Sequence, residues 1–128
     1  MLIQNRNENF KKYFYPCLGG VLGGISISTY FWLIFMPISL FFLWKGRENG
    51  IANFYWGFFF VLISHSWLSY LHPLTWLGFS WPESLLITLF ILLFCSFAGG
   101  LLVYLWTHLS KIILFKEDIF QIKFIPLT

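Results

Sequence analysis

Residues 84–107 read "SLLITLFILLFCSFAGGLLVYLWT", a run without a single charged side chain. As an α-helix at ~1.5 Å per residue it reaches about 36 Å, enough to cross a hydrocarbon core of ~30 Å with a slight tilt. Its neighbours follow the same pattern. Residues 13–44, "YFYPCLGGVLGGISISTYFWLIFMPISLFFLW", and residues 49–82, which begin "NGIANFYWGFFFVLIS", are also free of Lys, Arg, Asp and Glu.

Composition makes that pattern decisive. The chain has 128 residues, 59% hydrophobic, 23% aromatic and 10% charged. A soluble domain usually carries about 25% charged residues. A chain of this size in water would be left with one large apolar patch on its surface. The expected class is therefore all-α integral membrane, with about four transmembrane helices. Cys17 and Cys95 both lie inside apolar runs, so no disulfide framework is expected. The segment "YPCLGG" lacks the small residues that a lipoprotein cleavage site needs before its Cys.

The first apolar run is too long for one pass, at about 48 Å as a single helix. A break near "SISTY", residues 26–30, divides it, because Ser and Thr favour a turn there and Tyr30 and Trp32 suit an interface. The expected spans are about 13–28, 30–44, 51–70 and 84–107. Pro73 and Pro82 lack a backbone donor and bias the preceding residues away from helix, so 71–82 is expected to be a connection. The eight Lys and Arg are Arg6, Lys11, Lys12, Lys45, Arg47, Lys111, Lys116 and Lys123. Four spans place all of them on one face, as the positive-inside rule requires, with both termini cytoplasmic. Residues 1–12 then form a cytoplasmic tail, 13–110 the helical membrane domain, and 111–128 a cytoplasmic tail or surface segment. The basic groups flank apolar runs and read as topology signals. No nucleic acid partner is expected; membrane lipids are.

The connection "SWLSYLHPLTWLGFSWPES", residues 66–84, is rich in rings and nearly uncharged. Trp67, His72, Trp76, Trp81 and Glu83 are its candidate interface or lipid-contacting residues. An indole gains on both sides of the headgroup layer, and a Pro-broken segment at membrane depth tends to line protein or a cavity. Glu83, after Pro82, sits where a carboxylate offsets the helix macrodipole. His65 and His72 have no thiolate or carboxylate at ligand spacing, so no metal site is expected, and no cofactor. No Ser has an obvious Asp or Glu partner on its side except Glu83, and no nucleophile–base pair emerges, so no catalytic residue is assigned. Gly19, Gly20, Gly23 and Gly24 give two small-xxx-small spacings, and Gly99 with Gly100 a second small patch. Such faces let helix backbones approach closely in lipid. The Gly19–Gly24 face is expected to meet a second chain.

The segments "GGVLGGISISTYFWLIFMPISLFFLW", "YWGFFFVLISHSWLSYLHPLTWLG" and "ESLLITLFILLFCSFAGGLLVYLW" resemble the N-terminal membrane region of bacterial apolipoprotein N-acyltransferase. The resemblance covers residues 13–110. It rests on the glycine-bearing first helix, the Trp56-Gly57 pair, and Trp67 followed by "LHPLTW". It implies a helical bundle in the bacterial cytoplasmic membrane and a nitrilase-like domain beyond it. It also implies transfer of an acyl chain from a phospholipid to a lipoprotein amino group, through a Glu–Lys–Cys triad and a thioester. Cys17 and Cys95 match no part of that triad, and "SISTY" stands where the family usually has Ser-Pro. The expectation is a truncated or split member of the family, related to lipoprotein N-acylation but not catalytic alone, with a second chain supplying the remaining helices and the catalytic domain. The other expectation is a small non-catalytic membrane subunit scaffolding another complex.

Overall fold

The computed structural model describes the backbone of residues 2–29 and 32–123 and the side chains of 11–29 and 33–113. Among these residues the chain is helical, with no strand. Helix α1 spans Leu2–Ser28, α2 Trp32–Lys45, α3 Gly50–Ser64 and α4 Trp81–Lys123. Two short 3-10 turns, Ser66–Leu71 and Thr75–Leu77, lie between α3 and α4. Tyr30 and the side chain of Trp32, expected at an interface, lie outside the described residues.

The helices differ from the expected segments in three places. Helix α1 begins at Leu2 rather than near residue 13, since no Pro or Gly interrupts residues 2–15. Helix α3 stops at Ser64, short of residue 70. There the Ser64 hydroxyl donates to the Val61 carbonyl at 3.3 Å and a His65 ring nitrogen lies 3.2 Å from the same oxygen. Polar side chains thus compete for the last-turn carbonyls, and the chain tightens into a 3-10 turn. Helix α4 runs on through Lys111 to Lys123, because residues 101–123 hold neither Pro nor Gly and charge alone does not break a helix. Residues 111–123 are therefore a continuation of α4 rather than a separate segment.

Helix α3 sits between α1 and α4, and α2 packs on α1 beside α3. Glycines set the directions. Gly19 and Gly23 face Trp56 and Phe60, so α1 and α3 run parallel. The same two glycines face Phe42 and Ser39, so α2 runs antiparallel to α1. Gly57 meets Gly99 and Val103, and Gly100 meets Phe54, so α4 runs antiparallel to α3. The approach is closest at Gly20. A Cβ there would collide with the Trp56 carbonyl oxygen, which is backbone and cannot yield. The Gly19–Gly24 face is consequently filled by α2 and α3 of the same chain, which corrects the expectation that it meets a second one.

The distribution of side chains is inverted relative to a protein in water. The fully buried side chains are chiefly small or polar: Ser26, Ser39, Asn53, Ser84, Ser96 and Thr107. The large apolar residues point outward; Phe90 is 70% exposed and Leu102 68%. Polar groups join the helices from within. The Ser39 hydroxyl donates to the Gly19 carbonyl at 2.6 Å, the Trp56 indole donates to the Ser39 carbonyl at 3.1 Å, and the Asn53 amide donates to the Thr107 hydroxyl at 2.9 Å. Among the described residues one helix, over Trp81–Ile113, is long and apolar enough to cross a membrane; Leu33–Lys45 and Gly50–Ser64 are apolar but shorter.

Gly20→Leu should separate α1 from α3, costing at least the ~1–3 kcal/mol typical of overpacking. Thermal unfolding of the detergent-solubilised chain, followed by circular dichroism, should show a lower and broader transition. Ile27→Leu, on the exposed side of the same helix, should leave it unchanged.

Candidate functional site

The segment between α3 and α4 brings together polar and aromatic side chains. His65 closes α3 with φ −99° and ψ 12°. Residues 66–71 turn as a 3-10 helix, and His72, extended before Pro73, leads into a second short turn. That turn closes at Gly78, whose φ of 85° lies in the left-handed region and suits glycine.

Ser84, in the first turns of α4, is the anchor. Its Oγ accepts the Leu74 backbone N–H at 2.7 Å and lies 2.8 Å from His72 Nδ1. Ser84 is fully buried, Leu74 is buried, and Trp81 packs edge-on against the His72 ring at 5.0 Å between centroids. If the Ser84 hydroxyl donates to Nδ1, only the Nε2–H of His72 lacks a partner. The opposite assignment would strand the hydroxyl proton as well as Nε2. The first assignment leaves fewer buried groups unsatisfied. His72 Nε2 is buried without a protein partner in either case.

A Ser and a His at this distance invite comparison with a nucleophile and its base. The surroundings argue for a structural tie. Ser84 Oγ is closed off from solvent and already occupied by Leu74 N–H, and among the described residues no acid orients the far side of the His72 ring. The Ser–His–amide knot instead fastens the Pro-broken connection to the start of α4.

Glu83 does not reach His72. It accepts the Ser80 hydroxyl at 2.7 Å and the Ser80 backbone N–H at 2.9 Å through one carboxylate oxygen. This Ser-x-x-Glu arrangement resembles half of a capping box at the head of α4. The two bonds, the hydroxyl's first, hold the Glu83 carboxyl below its usual range. A depressed folded-state value means that the stabilisation is present at neutral pH and is lost as pH falls through the folded value.

Trp67, Trp76 and Trp81 are 55%, 75% and 60% exposed, and with Tyr70 they form a ring-rich rim at this end of the molecule. His72 and Glu83 lie beside them, the first half-buried, the second exposed. Cys17 and Cys95 are free, half-buried thiols on α1 and α4. Gly19, Gly20, Gly23, Gly24, Gly99 and Gly100 all lie at helix contacts within the chain. The His72–Ser84 pairing was not foreseen, since the two are twelve positions apart across two prolines. The connection holds Ser66, Ser69, Ser80 and Ser84, and only the fold brings Ser84 to His72.

Comparison with known proteins bears on what this scaffold belongs to. Across 127 residues the chain is 58% identical to an apolipoprotein N-acyltransferase of Prochlorococcus marinus subsp. pastoris, covering 99% of the chain and 26% of that protein. This chain is a homologue of apolipoprotein N-acyltransferase. A second Prochlorococcus marinus strain has a relative of the same name, 39% identical over 91% of the chain and 23% of the relative. One from Parasynechococcus marenigrum is 40% identical over 74% of the chain and 20% of the relative. The chain thus spans about a quarter of the length of these N-acyltransferases. No protein-family model matches it, and no solved structure does.

Ser84→Ala should strand the Leu74 N–H and loosen the connection, at a cost of about 1–3 kcal/mol. Hydrogen exchange at residues 72–77 should speed up, while exchange in α1 stays constant. Glu83→Gln should lower the melting temperature at pH 7 but narrow the gap to the unmodified chain as the pH is lowered through the carboxylate range.

Proposed function

We propose that the chain forms a four-pass helical module of the bacterial cytoplasmic membrane and serves lipoprotein N-acylation as part of an apolipoprotein N-acyltransferase. The observation that carries this reading is the 58% identity along 99% of the chain to a quarter of a protein of that name. The inverted side-chain distribution supports the membrane part. Helices that bury Ser, Thr, Asn and Gly while exposing Phe and Leu are suited to lipid on the outside.

In this reading α1 and α3 cross in one direction, α2 and α4 in the other. Lys11, Lys12, Lys45, Arg47 and Lys111 then share the cytoplasmic side, and the Trp-rich rim of 66–81 faces the opposite side. Helices α2 and α3, at about 21 and 22 Å, are shorter than the hydrocarbon core. The membrane would thin locally, or the 3-10 turn after α3 would lie within its depth. The family's acyl chemistry is assigned to the remaining three quarters of the length of such a protein, supplied on the same polypeptide or by a second chain. The role of this module is to hold that remainder in the membrane and to present the rim beside it, where lipid acyl donors and lipoprotein acceptors meet.

The test is a chimera. The segment of the Prochlorococcus marinus N-acyltransferase that matches this chain is replaced by it, and lipoprotein N-acylation is scored in cells depleted of their own enzyme. The expected result is restored N-acylation by the chimera. A chimera that inserts and accumulates but leaves lipoproteins unacylated would refute the reading.

A further inference from the structure

At the N-terminal end of α3, a helix about 22 Å long, a recess of about 520 Å³ opens between α1, α2 and the α2–α3 loop. Three lysines line it. Lys11 and Lys12 come from α1, and Lys45 is the last residue of α2. One carboxylate, Glu48, lines it too, leaving the described cations in excess. The Lys45 ammonium stands 4.9 Å above the Tyr15 ring, which directs it across the recess wall. Lys111 donates to the Glu48 carbonyl at 2.9 Å and ties the loop to α4.

One amide donor of a lining residue is unsatisfied among the described residues. Asn49 is the N-cap of α3, yet its side chain makes no capping bond. Its Nδ2 is buried without a partner, although the residue lines the recess. Ala52, in the first turn of α3, lines the recess beside it. Asn53, fully buried one turn on, uses its amide nitrogen on Thr107 and leaves Oδ1 unpaired. A buried donor without an acceptor costs about 1–3 kcal/mol. A helix N-terminus adds free N–H groups and a partial positive charge at the same place. Ammonium groups, an orphan amide donor and a helix N-terminus all favour one kind of guest, an oxyanion with several acceptor oxygens.

We propose that this recess binds a phosphate group, held by Lys11, Lys12, Lys45 and the Asn49 amide. The phosphate is carried by an anionic lipid headgroup or is free in solution. The site is independent of the acyl-transfer reading.

The test titrates the full chain, purified in a non-ionic detergent, with inorganic phosphate and, separately, with dihexanoyl-phosphatidylglycerol. Saturable binding of the lipid alone assigns a headgroup; saturable binding of phosphate assigns a free anion; either supports the site. Lys45→Gln should weaken that binding about tenfold, the loss of one charge-assisted hydrogen bond. Lys11→Gln is the second variant, read in the same way should the first fail to fold. Arg47→Gln removes the same charge from a residue that stacks on Trp44 at 4.7 Å and does not line the recess; its effect should stay below about twofold. Absence of saturable binding by either ligand, or equal losses in Arg47→Gln and the lysine variants, overturns the proposal.

Discussion

The contact on which the rest of the structure depends is the one between the backbone of α3 and its two neighbours. Trp56 and Gly57 are adjacent, and they face opposite ways. On one side the Trp56 carbonyl lies against Gly20 of α1, and its indole donates to the Ser39 carbonyl of α2 at 3.1 Å. On the other side Gly57 lies against Gly99 and Val103 of α4. Two residues thus join four helices. Close approach multiplies dispersion contacts and brings interior polar groups within hydrogen-bonding reach, both of which associate helices where the hydrophobic effect does not.

That constraint explains why the interior is polar. Where backbones nearly touch, small residues fit between them, and polar side chains bond across the seams: Ser39 to the Gly19 carbonyl, Trp56 to the Ser39 carbonyl and Asn53 to the Thr107 hydroxyl. Most bulky residues point outward, whereas Trp56 is buried in the seam. The same arrangement separates the two ends of the molecule by chemistry. One end carries lysines, the loop amides and the N-terminus of α3. The other carries the aromatic rim, the capped start of α4 and the Ser84 knot. Under the proposed membrane placement these two ends are the two interfaces.

The sequence shows the helical class plainly, because charge-free runs of this length have few other solutions. The glycine spacings and the Trp56-Gly57 pair were visible too, but not what they touch. A small-xxx-small face is equally suited to a helix of its own chain or of another, and only the packed structure places α3 against Gly20. Helix ends were less legible. Ser64 and His65 stop α3 by hydrogen-bonding to carbonyls one turn back, a competition that apolar runs do not reveal. The last span is expected from sequence to end near 107, before Lys111, yet charge determines where a helix meets water and not where it ends. The His72–Ser84 tie and the lysine recess were least legible, since each joins residues from separate segments. The lysines read as a topology signal; that Lys11, Lys12 and Lys45 converge on Asn49 is a property of the fold.

The account stands most directly on lipid surrounding α1–α4 with the loop after α2 and the connection before α4 on opposite sides. With Cys17 and Cys95 replaced by alanine, single cysteines at Arg47 and Trp76 can be probed in intact cells with a membrane-impermeant maleimide. The account predicts labelling at position 76 from outside the cytoplasmic membrane, and at position 47 only after the membrane is permeabilised. Equal labelling of both positions before permeabilisation would contradict it.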